Sequence, residues 1–118
     1  MTSQLNVDTI ADKAGTGPVE LTKQHAAKAW GRYSHGNAAF DDSFNFSSAL
    51  DQGTGDARLT FSSAMVNDNF SCTTSASNNN ERICVFNGPS TTTVDVEVFT
   101  LTGNTDATQC VNIHGDLA

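Results

Sequence analysis

FNFSSALDQGTGDARLTFSSAM, residues 44–65, is the stretch whose reading decides the fold. Leu59 and Phe61 share one parity, against Arg58, Thr60 and Ser62 on the other. That period of two belongs to a strand with one buried and one wet face. Phe44 and Phe46 also share a parity, and a polar loop at residues 51–56 separates the two runs. Two alternating runs joined by a Gly-containing loop predict a β-hairpin. Gly53 and Gly55 supply positive φ, and Asp51 and Asp56 offer carboxylates to nearby amides.

Outward from the hairpin the pattern repeats. Residues 91–101, TTTVDVEVFTL, set Val94, Val96 and Val98 on one face and Asp95 and Glu97 on the other. Phe99 and Leu101 fall on the opposite parity, which predicts either a bulge or a covered outer face. Residues 70–75, 83–86 and 108–113 read as further strands, the last with Val111 and Ile113 in phase. Upstream, residues 29–34 form a strand and 36–42 a turn with a short strand; residues 24–30 fit either a helical turn or the entry to that strand. Short strands with turns between them predict an all-β domain, an antiparallel β-sandwich or compact barrel, over residues 25–118. Residues 1–24 read as an extended N-terminal arm. Leu5, Val7 and Ile10, then Val19 and Leu21, are apolar groups interrupted by Gly15, Gly17 and Pro18. They are the candidate assembly contacts, on a sister subunit or a larger particle.

The chain has 118 residues, 37% of them hydrophobic, and a net charge of −7. One domain fits that length, with little apolar surface to spare, so burial against copies of itself is expected. The acidic balance excludes a general nucleic-acid binder and disfavours an anionic membrane surface. No apolar run approaches a membrane span, and no basic-then-apolar leader opens the chain, which makes assembly in a cytoplasm the expectation. Cys72, Cys84 and Cys110 are odd in number and contain no CxxC pair, so free thiols are expected.

Residue types that carry chemistry are present without the spacing that chemistry needs. Asp41, Asp42, Asp51 and Asp56 lack the order of a calcium loop and read as turn carboxylates. His25, His35 and His114 show no metal-ligand spacing, and no G-x-S-x-G elbow occurs. Neither a metal, a cofactor nor an enzymatic activity is expected. Trp30 and Tyr33 can stack on sugar rings or pack in a core or subunit interface, and the scarcity of large residues favours the packing role. Asn78, Asn79 and Asn80 with Arg82 form a polar loop, the candidate receptor-facing surface.

Ala27-Lys28-Ala29-Trp30, Phe44-Asn45-Phe46, residues 51–56 and residues 59–65 together resemble the small β-domains at the ends of tail-fibre and related virion proteins of tailed bacteriophages. Residues 5–10 with 15–18 are similar to the arms that precede such domains. The resemblance covers residues 3–66, and the remainder only by strand pattern. It implies a homotrimer, a virion location and a structural role in host-surface attachment, with no catalytic residues to carry over. The start at Met1 without a fibre shaft keeps a trimeric capsid decoration (cement) protein as the alternative. A stand-alone carbohydrate-binding module is the third reading.

Overall fold

The computed structural model describes residues 26–77 and 81–118. They form nine strands: β1 (Ala29–Ser34), β2 (Ala39–Phe44), β3 (Phe46–Gly53), β4 (Asp56–Phe61), β5 (Ser71–Ser77), β6 (Ile83–Asn87), β7 (Thr93–Thr100), β8 (Gly103–Asn104) and β9 (Thr108–His114). One sheet has the order β2-β1-β9-β5; the other runs β3-β4-β7-β6, with β8 paired to β7. Every pairing is antiparallel. The domain is a β-sandwich, and in the described part of residues 24–30, from 26 onward, the chain holds a strand entry rather than a helical turn, because Ala29 and Trp30 already pair with Ile113 and Asn112.

The inner faces follow the alternation in the sequence. Leu59, Val94, Val96 and Val98 have no exposed surface, and neither do Ala29, Tyr33 and Ile113 on the facing sheet. Four aromatic contacts run through the middle of the sandwich. Tyr33 meets Phe40 edge-on at 5.5 Å, Phe40 stacks on Phe46 at 5.4 Å, Phe46 stacks on Phe61 at 5.4 Å, and Phe61 meets Phe70 edge-on at 5.6 Å. These spacings are those at which aromatic rings attract beyond their buried area. Gly31 makes room for the row, since a Cβ there would sit 2.8 Å from the Phe40 ring and 3.2 Å from that of Phe46.

Phe44 and Phe46 do not share a face, contrary to the parity reading. Phe44 ends β2 in the first sheet and is 54% exposed, whereas Phe46 opens β3 in the second sheet and is buried. Between them Asn45 adopts φ +59, and there the chain crosses from one sheet to the other. Asn45 is held by its side chain: Oδ1 accepts from Ser63 N at 2.7 Å and Nδ2 donates to Lys28 O at 3.0 Å. Parity arguments hold only within a strand, so a sheet change between the two residues cancels them. At the far end of β7 the outer-face alternative applies. β6 and β7 keep an unbroken register from Asn87↔Asp95 to Ile83↔Phe99, so Phe99 lies on the outer face beside Ile83, and Leu101 sits in the following turn, 83% exposed.

Candidate functional site

The sandwich has two unlike ends, and the connections define them. At the base, where the described chain begins, Lys28 N donates to Ile113 O, Ser62 N to Asn45 O, Met65 N to Thr91 O and Val66 N to Asp116 O. Trp30, Phe44, Val66 and Leu117 all lie toward this end and keep 38–54% of their surface exposed. At the opposite, distal end stand the β1–β2 turn, the β3–β4 turn and the loop from β7 to β9. His35 N donates to Ala107 O there, Val98 N to Gly55 O and Thr105 N to Val98 O.

Sequence chemistry builds the distal end. The β3–β4 turn needs left-handed backbone, and Gly55 provides it at φ +65. Asp51 Oδ1 accepts from Gly53 N at 2.9 Å, the role expected of a turn carboxylate. Among the described residues Asp56 accepts no such bond; the second tie comes instead from Asp106, whose Oδ1 accepts from Gly55 N at 2.8 Å. Behind the turn, His35 Nε2 lies 2.9 Å from Gln109 Oε1, and its ring meets Tyr33 edge-on at 4.9 Å. The Tyr33 hydroxyl is buried without a hydrogen-bond partner among the described residues. Burial, and after it the charges of Asp51 and Asp106, raises its pKa. Burial also raises the Asp56 carboxyl, reinforced by Glu97 and Asp95 and opposed by His35 and Arg58. The distal end is thus a hydrogen-bonded, acidic rim on an aromatic floor.

The residues singled out in the sequence scatter over this frame. Tyr33 is core, as the scarcity of large residues suggested, while Trp30 is 38% exposed on the outer face of β1. Trp30 aligns there with Phe44 on one side and Asn112 on the other. His35 is buried and His114 exposed, 79 positions apart in sequence (114 minus 35) and at opposite ends of the sandwich. Among the described residues no three His, Cys, Asp or Glu side chains gather as a metal site. The three cysteines are free and half-buried; burial pushes the Cys72 thiol up to about 12 and raises that of Cys84. Arg82 is half-buried just before β6, with Nη1 3.4 Å from Glu81 O. Asn78, Asn79 and Asn80 lie outside the described residues, as do Leu5, Val7, Ile10, Val19, Leu21 and His25.

Two polar residues of the distal end escaped the sequence reading. Gln109 shares the inward parity of Val111 and Ile113, and that parity was the available signal for it. Asp106 carried no such signal, because its partner Gly55 is 51 residues away. The chain matches no family model, no curated protein and no solved structure.

Proposed function

We propose that this chain is a structural protein of a tailed-bacteriophage virion, a homotrimeric tail-fibre or spike tip domain that contributes to host-surface attachment. The observation that carries the reading is the polarity of the sandwich, which accords with the likeness of residues 3–66 to phage fibre-end domains. The chain enters at a base where Trp30, Phe44, Val66 and Leu117 are exposed, the apolar composition expected of a contact with other virion proteins. The distal end presents short polar turns, one capped by Asp51 and tied by Asp106 to the loop before β9, a support for loops that meet a host surface. Residues 1–24, read in the sequence as the attachment arm, precede the base in the chain, which suits attachment to a tail or capsid. No catalytic step is assigned, and no cofactor.

Labelling the protein on intact particles for electron microscopy tests this reading. A signal at fibre or spike tips, with purified protein blocking adsorption to the host, is the expected result. A signal spread over the capsid shell replaces the tip reading with the decoration protein. Absence from particles overturns both.

One observation favours a second reading, a carbohydrate-binding module. Trp30 is exposed on a sheet face flanked by Phe44 and Asn112, a flat aromatic surface beside an amide that suits a sugar ring. Measurable glycan affinity that Trp30→Ala removes, in a monomeric protein, would support it.

A further inference from the structure

Each sheet of the sandwich has two edges, and the four edge strands are not alike. β2 and β3 lie on one side and carry the devices that stop edge pairing. The β1–β2 register slips between Arg32 and Tyr33, and β2 holds Asp41 and Asp42. The β3–β4 register slips twice, at Phe46/Ser48 and at Asp51/Gly53. On the other side, β5 and β6 have neither defence. β5 reads SCTTSAS and pairs with β9 in unbroken register over all seven residues; β6 reads ICVFN and is equally regular against β7. Neither strand contains a charged residue or a proline.

The core is also thinly covered along this side. Phe86 pairs with Val96 and Cys84 with Val98, so both point to the inner face of their sheet. Val96 and Val98 have no exposed surface, yet Phe86 keeps 37% and Cys84 is only half-buried. Opposite them, Cys72 and Thr74 share the inner rows of Ile113 and Val111 and are likewise half-buried. β5 and β6 approach each other across the two sheets and close the sandwich here, and no described strand pairs outside them.

We propose that the β5–β6 seam is the surface through which copies of this chain associate, turned toward the three-fold axis of the trimer. This rests on the trimer reading and specifies its interface. A side that bears two different edges, set facing a three-fold axis, brings β5 of one copy against β6 of the next. The contact repeats three times and closes, leaving no free edge on that side. It covers Phe86 and the half-buried thiols, and it offers backbone donors and acceptors that would otherwise be left to water. Charge points the same way. Each copy carries a net charge of −7, so three copies repel least where the contact surface has no carboxylates. Among the edge strands only β5 and β6 meet that condition, since Asp41, Asp42 and Asp51 lie on the other two.

The test is the sedimentation mass of the full chain and of three variants. Thr74→Lys and Phe86→Lys place a charge in the seam, whereas Leu50→Lys places one on an exposed residue of β3, on the opposite side. The expected result is a trimer for the parent and for Leu50→Lys, with association weakened at least about tenfold in the two seam variants. Their circular dichroism should stay that of a β-domain. Hydrogen exchange on the parent keeps the test decisive if a seam variant does not fold. Amides of β5 and β6 that β9 and β7 do not use should be protected in the trimer and exchange on dilution. A monomer mass at micromolar concentration overturns the trimer reading and the interface together. A trimer that both lysine variants retain, or fast exchange along both edges within the trimer, overturns the interface alone.

Discussion

The amide of Gly55 donates to Oδ1 of Asp106 at 2.8 Å, tying the tip of the β3–β4 hairpin to the loop before β9. Gly55 is buried at φ +65, and a Cβ there would fall on the carbonyl oxygens of Val98 and Thr105. Gly55→Ala therefore meets left-handed strain and a backbone collision at once. It should cost about 2–4 kcal/mol, the sum of a strained φ and a lost close approach. Gly36→Ala, at a turn glycine with no heavy atom within 4 Å of the added Cβ, is the control and should stay within about 0.5 kcal/mol. Urea melts of the two variants measure the difference.

Phe61 is 5% exposed and lies between the rings of Phe46 and Phe70. Phe61→Ala should cost about 3–5 kcal/mol, the range for a phenylalanine in a packed interior. Thr60, on the outer face of the same strand, should cost about 0–1 kcal/mol as Thr60→Ala. Equal losses in denaturant melts would show that β4 does not present the face assigned to it.

Most of the strand set was legible because the signal was local. Leu59 and Phe61 in β4, and Val94, Val96 and Val98 in β7, announce their faces by alternation alone, and the turn glycines bound them. The sheet change at Asn45 was not legible, since a period of two reads the same whether a chain continues or crosses. The distal end was legible in part. Asp51 caps its own turn, but the partner of Gly55 lies beyond any local window. Trp30 and Tyr33 looked equivalent in sequence. Three positions of separation within β1 place them on opposite faces, and only the sheet arrangement says which face is the core.

The pKa shifts predict a pH profile. Asp56 has a folded pKa above its ordinary 3.8, so the folded chain holds that proton more tightly than the unfolded chain does. The stability this contributes is fully present below the ordinary value and lost as pH rises through the raised one. At neutral pH the ionised carboxylate opposes folding. Asp56→Asn should raise the melting temperature at pH 7, and the gain should disappear near pH 3.

The same sign applies at the alkaline end. Cys72 rises from 9.0 to about 12, and Tyr33 also rises from 10.0. Their contribution is intact below pH 9 and is lost as pH climbs toward 12, where the folded chain must bury a charge or open. Melting temperature should fall across that window, and Cys72→Ala should flatten the fall. At pH 8 the Cys72 thiolate is scarce, so alkylation of the folded chain should be at least about tenfold slower at Cys72 than in urea, read by mass spectrometry.

Asn45 carries the passage between the sheets, and its replacement separates two effects. The residue holds φ +59, which asparagine tolerates better than alanine. Its side chain accepts from Ser63 N at 2.7 Å and donates to Lys28 O at 3.0 Å and Ser63 O at 3.2 Å. Asn45→Gly relieves the backbone but forfeits the side-chain bonds, each worth about 0.5–1.5 kcal/mol net. Asn45→Ala forfeits the same bonds and adds about 1–2 kcal/mol of left-handed strain. Alanine should therefore be the worse of the two by roughly that amount in equilibrium melts. Equal losses would mean that the bonds alone hold the crossover. A glycine variant as stable as the parent would mean that the backbone conformation is the whole requirement.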